Sequence, residues 1–216
     1  MSEGFSLGDL FPAGVRVAEI HGDDADVGVN ERELASLGRA GEKRKREFLC
    51  GRECARRALT ELGLSAPVLR GESREPIWPS GVCGSITHCE GYGAAAVAWQ
   101  RDVLSIGFDA ETIRTLAPGV VKRIGCEEEL AFLKEAPAGV PWELLLFSAK
   151  ESVFKAWFPL ERTWLGFQEA TIYFDPLGTF RVEIRAKAAH TLELQGRYQF
   201  EGNRVMTSAF AHSLPG

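Results

Sequence analysis

GSITHCEGYGAAAVAWQRDVLSIGFDAE, residues 84–111, is the stretch on which the fold turns. Gly84 to His88, Gly93 to Trp99 and Val103 to Glu111 read as three short strands with a turn at Gly91, and the last alternates in side-chain character. Strands this close in sequence predict an antiparallel sheet. Working outward toward the N-terminus, Arg70 to Gly84 (RGESREPIWPSGVCG) is rich in Gly, Pro and Ser, which predicts an extended binding loop with available backbone amides. Before it, Glu42 to Leu62 carries Phe48, Ala55, Leu59 and Leu62 on one stripe, an amphipathic helix ended by Gly63. Asn30 caps a shorter helix from Glu31 to Leu37, with Glu33 at the capping-box position.

In the other direction, Pro118, Pro137 and Pro141 bracket a helix over Glu127 to Lys134 and precede a stronger one over Glu143 to Phe158, which Pro159 is expected to stop. Ala170 to Phe174 and Thr179 to Arg185 flank the turn Asp175-Pro176-Leu177-Gly178, and Arg197 to Glu201 and Arg204 to Phe210 flank Gly202-Asn203, giving a second sheet. Helix then strands, followed by helix then strands, predicts an α+β fold of two packed lobes, residues 1–104 and 105–216.

With 216 residues, 45% apolar and 25% charged, the chain buries a full core and is neither a disordered tail nor a disulfide-stapled miniprotein. A net charge of -5 argues against general attraction to nucleic acid or an anionic membrane, so any anion is caught locally. No stretch approaches the roughly 20 apolar residues of a membrane span, and the start MSEGFSLGDLFPAG lacks the order of a signal peptide; the expectation is a cytoplasmic protein. Five cysteines, an odd number, fit reduced thiols, and Cys83, His88 and Cys89 lack a fourth zinc ligand at a standard spacing.

Three clusters carry chemistry. Arg39 to Arg57 holds eight basic and three acidic residues against an otherwise acidic chain, a concentration suited to phosphate groups or to an acidic protein partner. Arg52 and Arg56, four apart, are expected to reach one ligand together. In Ser105-Ile-Gly-Phe-Asp109-Ala-Glu111, two carboxylates lie on one strand face with Cα atoms about 6.5 to 7 Å apart, and such a pair repels itself unless a hard cation such as Mg²⁺ intervenes. In Phe147-Ser-Ala-Lys-Glu151-Ser-Val-Phe-Lys155-Ala-Trp157, Glu151 and Lys155 share a helical face at i and i+4, and apolar neighbours make the pair half-buried; a half-buried Glu serves as ligand or base. His88 ends a strand just after the Gly- and Pro-rich loop, where a ring nitrogen can donate to phosphate. Ser152-Val-Phe-Lys155 has the S-x-x-K spacing of serine acyl enzymes, but the chain contains neither S-D-N nor K-T-G, and no phosphate loop of the G-x-x-x-x-G-K-[ST] kind exists.

Taken in order, Gly51-Arg52-x-Cys54-Ala55-Arg56-x-Ala58-Leu59, Trp78-Pro79-x-Gly81-x-x-Gly84-Ser85-x-Thr87-His88-Cys89-x-Gly91-Tyr92, Ile106-Gly107-x-Asp109-x-Glu111 and Phe147-Ser148-Ala149-Lys150-Glu151-x-x-x-Lys155-Ala156-Trp157 resemble the larger, monomeric 4′-phosphopantetheinyl transferases of the surfactin and enterobactin type. Trp157-Phe-Pro-Leu and Trp164-Leu-Gly-Phe look like the actinobacterial branch. The resemblance implies a pseudo-twofold pair of similar α+β lobes, each with a small antiparallel sheet packed on helices, and coenzyme A at their junction. It implies transfer of phosphopantetheine from coenzyme A to a serine hydroxyl of an apo acyl or peptidyl carrier protein of fatty acid, polyketide, nonribosomal peptide or siderophore synthesis, leaving adenosine 3′,5′-bisphosphate. The cofactor implied is Mg²⁺, with Mn²⁺ as the alternative. Carried over by residue, Asp109, Glu111 and Glu151 match the metal-binding acids, with Glu151 also the base and Lys155 the acid or charge stabiliser. Arg52 and His88 match coenzyme A phosphate contacts; Arg44, Arg70 and Arg74 are further basic contacts, and Ser73 stands where the pattern leads one to expect Lys or Arg. A noncatalytic coenzyme A or nucleotide-binding module is the alternative.

Overall fold

A computed structural model describes residues 6–22, 27–187 and 193–212. After a 3-10 turn at Leu7–Leu10 come β1 (Arg16–His21), α1 (Glu31–Leu37), α2 (Glu42–Glu61), β2 (Leu69–Arg70), β3 (Pro76–Ile77), β4 (Val82–Cys89) and β5 (Tyr92–Trp99). Then follow β6 (Ser105–Thr112), α3 (Val120–Ile124), α4 (Glu127–Glu135), α5 (Trp142–Glu161), β7 (Ala170–Asp175), β8 (Thr179–Ile184), β9 (Leu194–Glu201) and β10 (Arg204–Ala211). One sheet runs β1-β5-β4, a second runs β6-β10-β9-β8-β7, and β2 pairs with β3 as a small ribbon. All pairings are antiparallel.

The α+β reading holds, and the element order makes the twofold likeness explicit. In each half a strand leads to a 20-residue helix and ends in a hairpin of two eight-residue strands. The first strand pairs with the last in both: β1 with β5, and β6 with β10. Glycine lets each long helix approach its sheet. A Cβ on Gly93 of β5 would lie 2.5 Å from Cys50 Sγ of α2. A Cβ on Gly107 of β6 would lie 1.7 Å from the Ser152 carbonyl oxygen and 2.7 Å from the Ala156 nitrogen, so α5 rests on bare backbone there. Ser105 Oγ adds a 2.6 Å bond to the Ala156 carbonyl of the same helix.

The halves meet along β4 and β6, where hydroxyls stand in for a main-chain ladder. Ser85 Oγ accepts from the Phe108 amide and Thr87 Oγ1 from the Ala110 amide, both at 2.9 Å. One apolar cluster lies between α2 and the first sheet (Cys54, Ala55, Leu59, Val97), and another between α5 and the second (Leu145, Val153, Trp157, Val205). A third, with Leu10, Ile106, Phe108 and Met206, joins the two. Lys150 is enclosed in this interior: its Nζ donates to Glu129 at 2.7 Å and to the Phe167 and Ala170 carbonyls at 2.5 and 2.8 Å. Glu129 in turn accepts from the Cys126 and Ile172 amides, so both charges are fully partnered.

Several local expectations are corrected. The third strand of residues 84–111 does not extend the first sheet: β6 heads the second, paired to β10 about a hundred residues later, because chain proximity does not fix strand partners. The loop from Arg70 contains the β2–β3 ribbon, with Leu69 opposite Ile77. Pro159 does not stop α5; its ring removes one donor but its φ suits the last turn, and the helix ends at Arg162, whose φ is 53°. Asn30 caps α1 as expected, accepting from Arg32 and Glu33 amides, while the Glu33 carboxylate leaves the cap to bind Arg56 and the Val68 amide. No helix among the described residues is long and apolar enough to cross a membrane.

The contact at Gly107 generates a stability test. Gly107→Ala forces α5 off β6 and is expected to cost about 3 kcal/mol, lowering the thermal midpoint by roughly 6–12 °C in a calorimetric scan; an unchanged midpoint would contradict the close approach.

Candidate active site

A cleft of about 1060 Å³ opens between the halves, walled by α2, the β2–β3 ribbon and the loop after it, β4, β6 and α5. Arg44, Arg52, Arg70, Arg74, His88, Asp109, Glu111, Glu151 and Lys155 all line it. Residues scattered over more than a hundred positions therefore face one space, with the arginines on the N-terminal wall and the acids on the C-terminal wall.

On the basic wall, α2 turns Arg44, Phe48 and Arg52 inward at helical spacing. Arg44 lies 2.8 Å from His88 Nε2. A guanidinium only donates, so Nε2 accepts and the ring proton sits on Nδ1. Burial pushes the His88 pKa down, with the Glu47 charge opposing and Arg44 adding to the shift, which agrees with a neutral ring. Arg52 is 5% exposed, stacks 4.4 Å from the centroid of Phe48, and donates to the Leu69 carbonyl at 3.5 Å. Its Nε has no partner. Burial brings its pKa down to about 10; the Glu33 charge opposes this, and Arg44 and Arg70 reinforce it. A buried guanidinium with an unmet donor beside two like charges is a receptor for an anion. Arg70 is anchored to the Leu37 carbonyl at 3.0 Å, and Arg74 sits in the tight turn of the ribbon at φ 73°. Ser73 lines the cleft next to Arg74. Arg56 does not join Arg52 as expected: it turns to Glu33, Glu53 and the Gly28 carbonyl and braces α1 against α2.

On the acidic wall, β6 presents Asp109 and Glu111 on one face, as the strand period requires. Asp109 is held on both oxygens. Lys155 Nζ donates to Oδ1 at 2.7 Å and to the Phe108 carbonyl at 3.0 Å, and Ser148 donates to Oδ2 at 2.8 Å. Lys155 is thus the partner of Asp109, in place of the expected i,i+4 pairing with Glu151, because the short β6–α5 distance puts Asp109 within its reach. Glu111 lies 3.3 Å from Arg114. Burial raises the pKa of Glu111, and the Asp109 charge raises it further. Burial likewise raises that of Glu151, with Lys155 opposing and the charges of Asp109 and Glu111 adding to the rise. Among the described residues no three His, Cys, Asp or Glu close around a common point. Ser148, Glu75 and Arg162 are contributors that sequence reasoning did not single out; Glu75 and Arg162 form a 2.8 Å ion pair across the cleft mouth.

Similarity to known proteins agrees with this geometry. Residues 31–98 match a family described as the 4′-phosphopantetheinyl transferase N-terminal domain, and residues 105–209 match the 4′-phosphopantetheinyl transferase superfamily. The chain is 40% identical over 225 residues to 4′-phosphopantetheinyl transferase PptT of Mycobacterium tuberculosis, covering 96% of this chain and 99% of that one. It is 45% identical over 168 residues to 4′-phosphopantetheinyl transferase Npt of Nocardia iowensis, covering 77% and 75%. It is 40% identical over 143 residues to enterobactin synthase component D of Salmonella typhi, covering 63% and 57%. With both halves of its cleft spanned by these matches, the chain belongs to the 4′-phosphopantetheinyl transferase superfamily of enzymes.

Proposed function

We propose that this enzyme moves the 4′-phosphopantetheine group of coenzyme A onto a serine hydroxyl of an apo acyl or peptidyl carrier protein, in the presence of Mg²⁺ or Mn²⁺, and leaves adenosine 3′,5′-bisphosphate. The observation that carries the reading is one cleft with Arg44, Arg52, Arg70 and Arg74 on one wall and Asp109, Glu111 and Glu151 on the other. Coenzyme A carries a 3′-phosphate and a diphosphate, and needs several fixed donors on one side and charge compensation at the bond that breaks. Residues 1–104 supply the donors and residues 105–216 the acids. We take the protein to act as a cytoplasmic monomer.

The donor set suits a hard divalent ion. It consists of carboxylates only, and Lys155 already places a cation on Asp109. Mg²⁺ is commonly held by one or two carboxylates plus phosphate oxygens and water, so an open acidic wall facing a phosphate ligand fits it without a closed protein cage. Asp109, Glu111 and Glu151 offer the carboxylates, one or two of which would hold the ion beside phosphate oxygens, and the ion when bound would supply charge neutralisation at the diphosphate. The chain's own residues do the rest. Arg52, Arg44 and the Nδ1–H of His88 donate to phosphate oxygens and fix the donor substrate. Glu151, whose proton affinity burial raises, accepts in its ionised form the proton of the carrier serine as the serine Oγ bonds to phosphorus. The bond from that phosphorus to the bridging oxygen breaks, and the electron pair leaves with the bisphosphate. Lys155, with its ammonium at the Phe108 carbonyl and Asp109, donates to the oxygens that gain charge.

Intact mass spectrometry of an apo carrier protein incubated with enzyme and coenzyme A tests the reaction. The carrier is expected to gain one phosphopantetheine group, with the gain abolished by EDTA and slowed at least about a hundredfold in Asp109→Ala and Glu151→Ala. No gain with wild type would leave the noncatalytic binding module; an unchanged rate in both variants would remove the acids from catalysis. Calorimetry tests the basic wall. Arg52→Ala is expected to weaken coenzyme A binding roughly tenfold or more without changing carrier affinity, and a loss confined to the carrier would assign the basic helix to protein docking.

A further inference from the structure

Beneath Asp109 lies a pair of buried hydroxyls, Ser148 and Thr207. Ser148 comes from α5 and Thr207 from β10, where it stands directly across from Asp109 in the β6–β10 register. Both are 0% exposed. Their oxygens are 2.9 Å apart, and Ser148 Oγ is 2.8 Å from Asp109 Oδ2. The direction of this chain is fixed by chemistry. A carboxylate only accepts, so the single Ser148 proton points at Asp109, and the proton between the hydroxyls must then come from Thr207. Thr207 donates to Ser148, and Ser148 donates to Asp109.

We propose that Ser148, oriented by Thr207, is a positioning residue that pins the Asp109 carboxylate so that Oδ1 is turned to the cation side of the cleft. This inference rests on the metal reading above. Oδ2 is tied down inside the protein, and Oδ1 is the oxygen already bearing the Lys155 ammonium. Without Ser148 the carboxylate would lose its inner anchor and be free to rotate about χ2, and the Thr207 hydroxyl would be left buried without its acceptor. Without Thr207, the Ser148 hydroxyl is free to swing to a carbonyl of its own helix, as buried helical serines do. Each link therefore bears on how well Asp109 holds a cation while touching neither the cation nor the substrate.

The test is Mn²⁺ affinity of the full chain with saturating coenzyme A, read from the electron paramagnetic resonance signal of free Mn²⁺. Coenzyme A affinity without metal and the thermal midpoint are measured alongside. Ser148→Ala is expected to weaken Mn²⁺ about tenfold to a hundredfold, Thr207→Val by less, and Thr207→Ser not at all, with metal-free coenzyme A affinity unchanged throughout. A folded Ser148→Ala with wild-type Mn²⁺ affinity would overturn the proposal. Should Ser148→Ala fail to fold, equal Mn²⁺ affinity in Thr207→Val and Thr207→Ser would overturn it, and a loss in the former restored in the latter would support it. Wild-type protein that takes up no Mn²⁺ overturns the metal reading and this inference with it. Uptake lost in Asp109→Asn but intact in Ser148→Ala overturns this inference alone.

Discussion

The site depends on how closely α5 lies on β6. At Gly107 the helix backbone occupies the space of a side chain, and nothing larger than hydrogen fits. That approach sets the depth of α5 along its length, so Ser148, Glu151 and Lys155, spaced about a turn apart, all face the strand that carries Asp109 and Glu111. A helix set even an ångström or two higher would leave the 2.7 Å Lys155–Asp109 and 2.8 Å Ser148–Asp109 bonds unmade. The enclosed Lys150–Glu129 pair holds the opposite face of the same helix to α4 and β7 through satisfied polar bonds, resisting rotation about its axis.

The two halves repeat one framework and differ in chemistry. Each lays a long helix on the strands of its own sheet through a glycine contact, at Gly93 under α2 and at Gly107 under α5. The helix of the first half turns Arg44 and Arg52 to the cleft; that of the second turns Glu151 and Lys155 to it. Because the halves join through Ser85 and Thr87 hydroxyls and an apolar layer around Phe108 and Met206, the positive and negative walls are held face to face. The coenzyme A proposed to enter between them would meet fixed donors and charges without a large reorganisation of the protein, the condition under which electrostatics contributes most to a phosphoryl transfer.

Much of this was legible in the chain. Periodicity located α2, bracketing prolines located α5, and the Asp175–Gly178 and Gly202-Asn203 turns located the late hairpins. The strand Arg16–His21 was not seen, since only Ile20 of its six residues is buried and polar residues interrupt it. The partner of β6 was not legible, because β10 lies far along the chain and only the assembled sheet brings the two together. The nine residues proposed for the site, six of them within the ordered motifs, line one cleft, but which touches which was not legible. Lys155 chose Asp109 over Glu151, and Arg56 chose Glu33 over the cleft, because tertiary distance overrode helical spacing. Thr207 gave no signal, as a threonine in a strand is ordinary until an aspartate and a serine are placed beside it.

In the proposed reaction coenzyme A binds with its diphosphate against the acidic wall and a divalent ion beside it. Phosphorus NMR of coenzyme A bound to the Mn²⁺-loaded enzyme measures this directly, since a paramagnetic ion broadens nearby nuclei. Strong broadening of the diphosphate resonances is expected, beyond that of coenzyme A with Mn²⁺ alone, and it is expected to disappear in Asp109→Asn. Diphosphate resonances that stay as sharp with the loaded enzyme as with metal-free protein would contradict it.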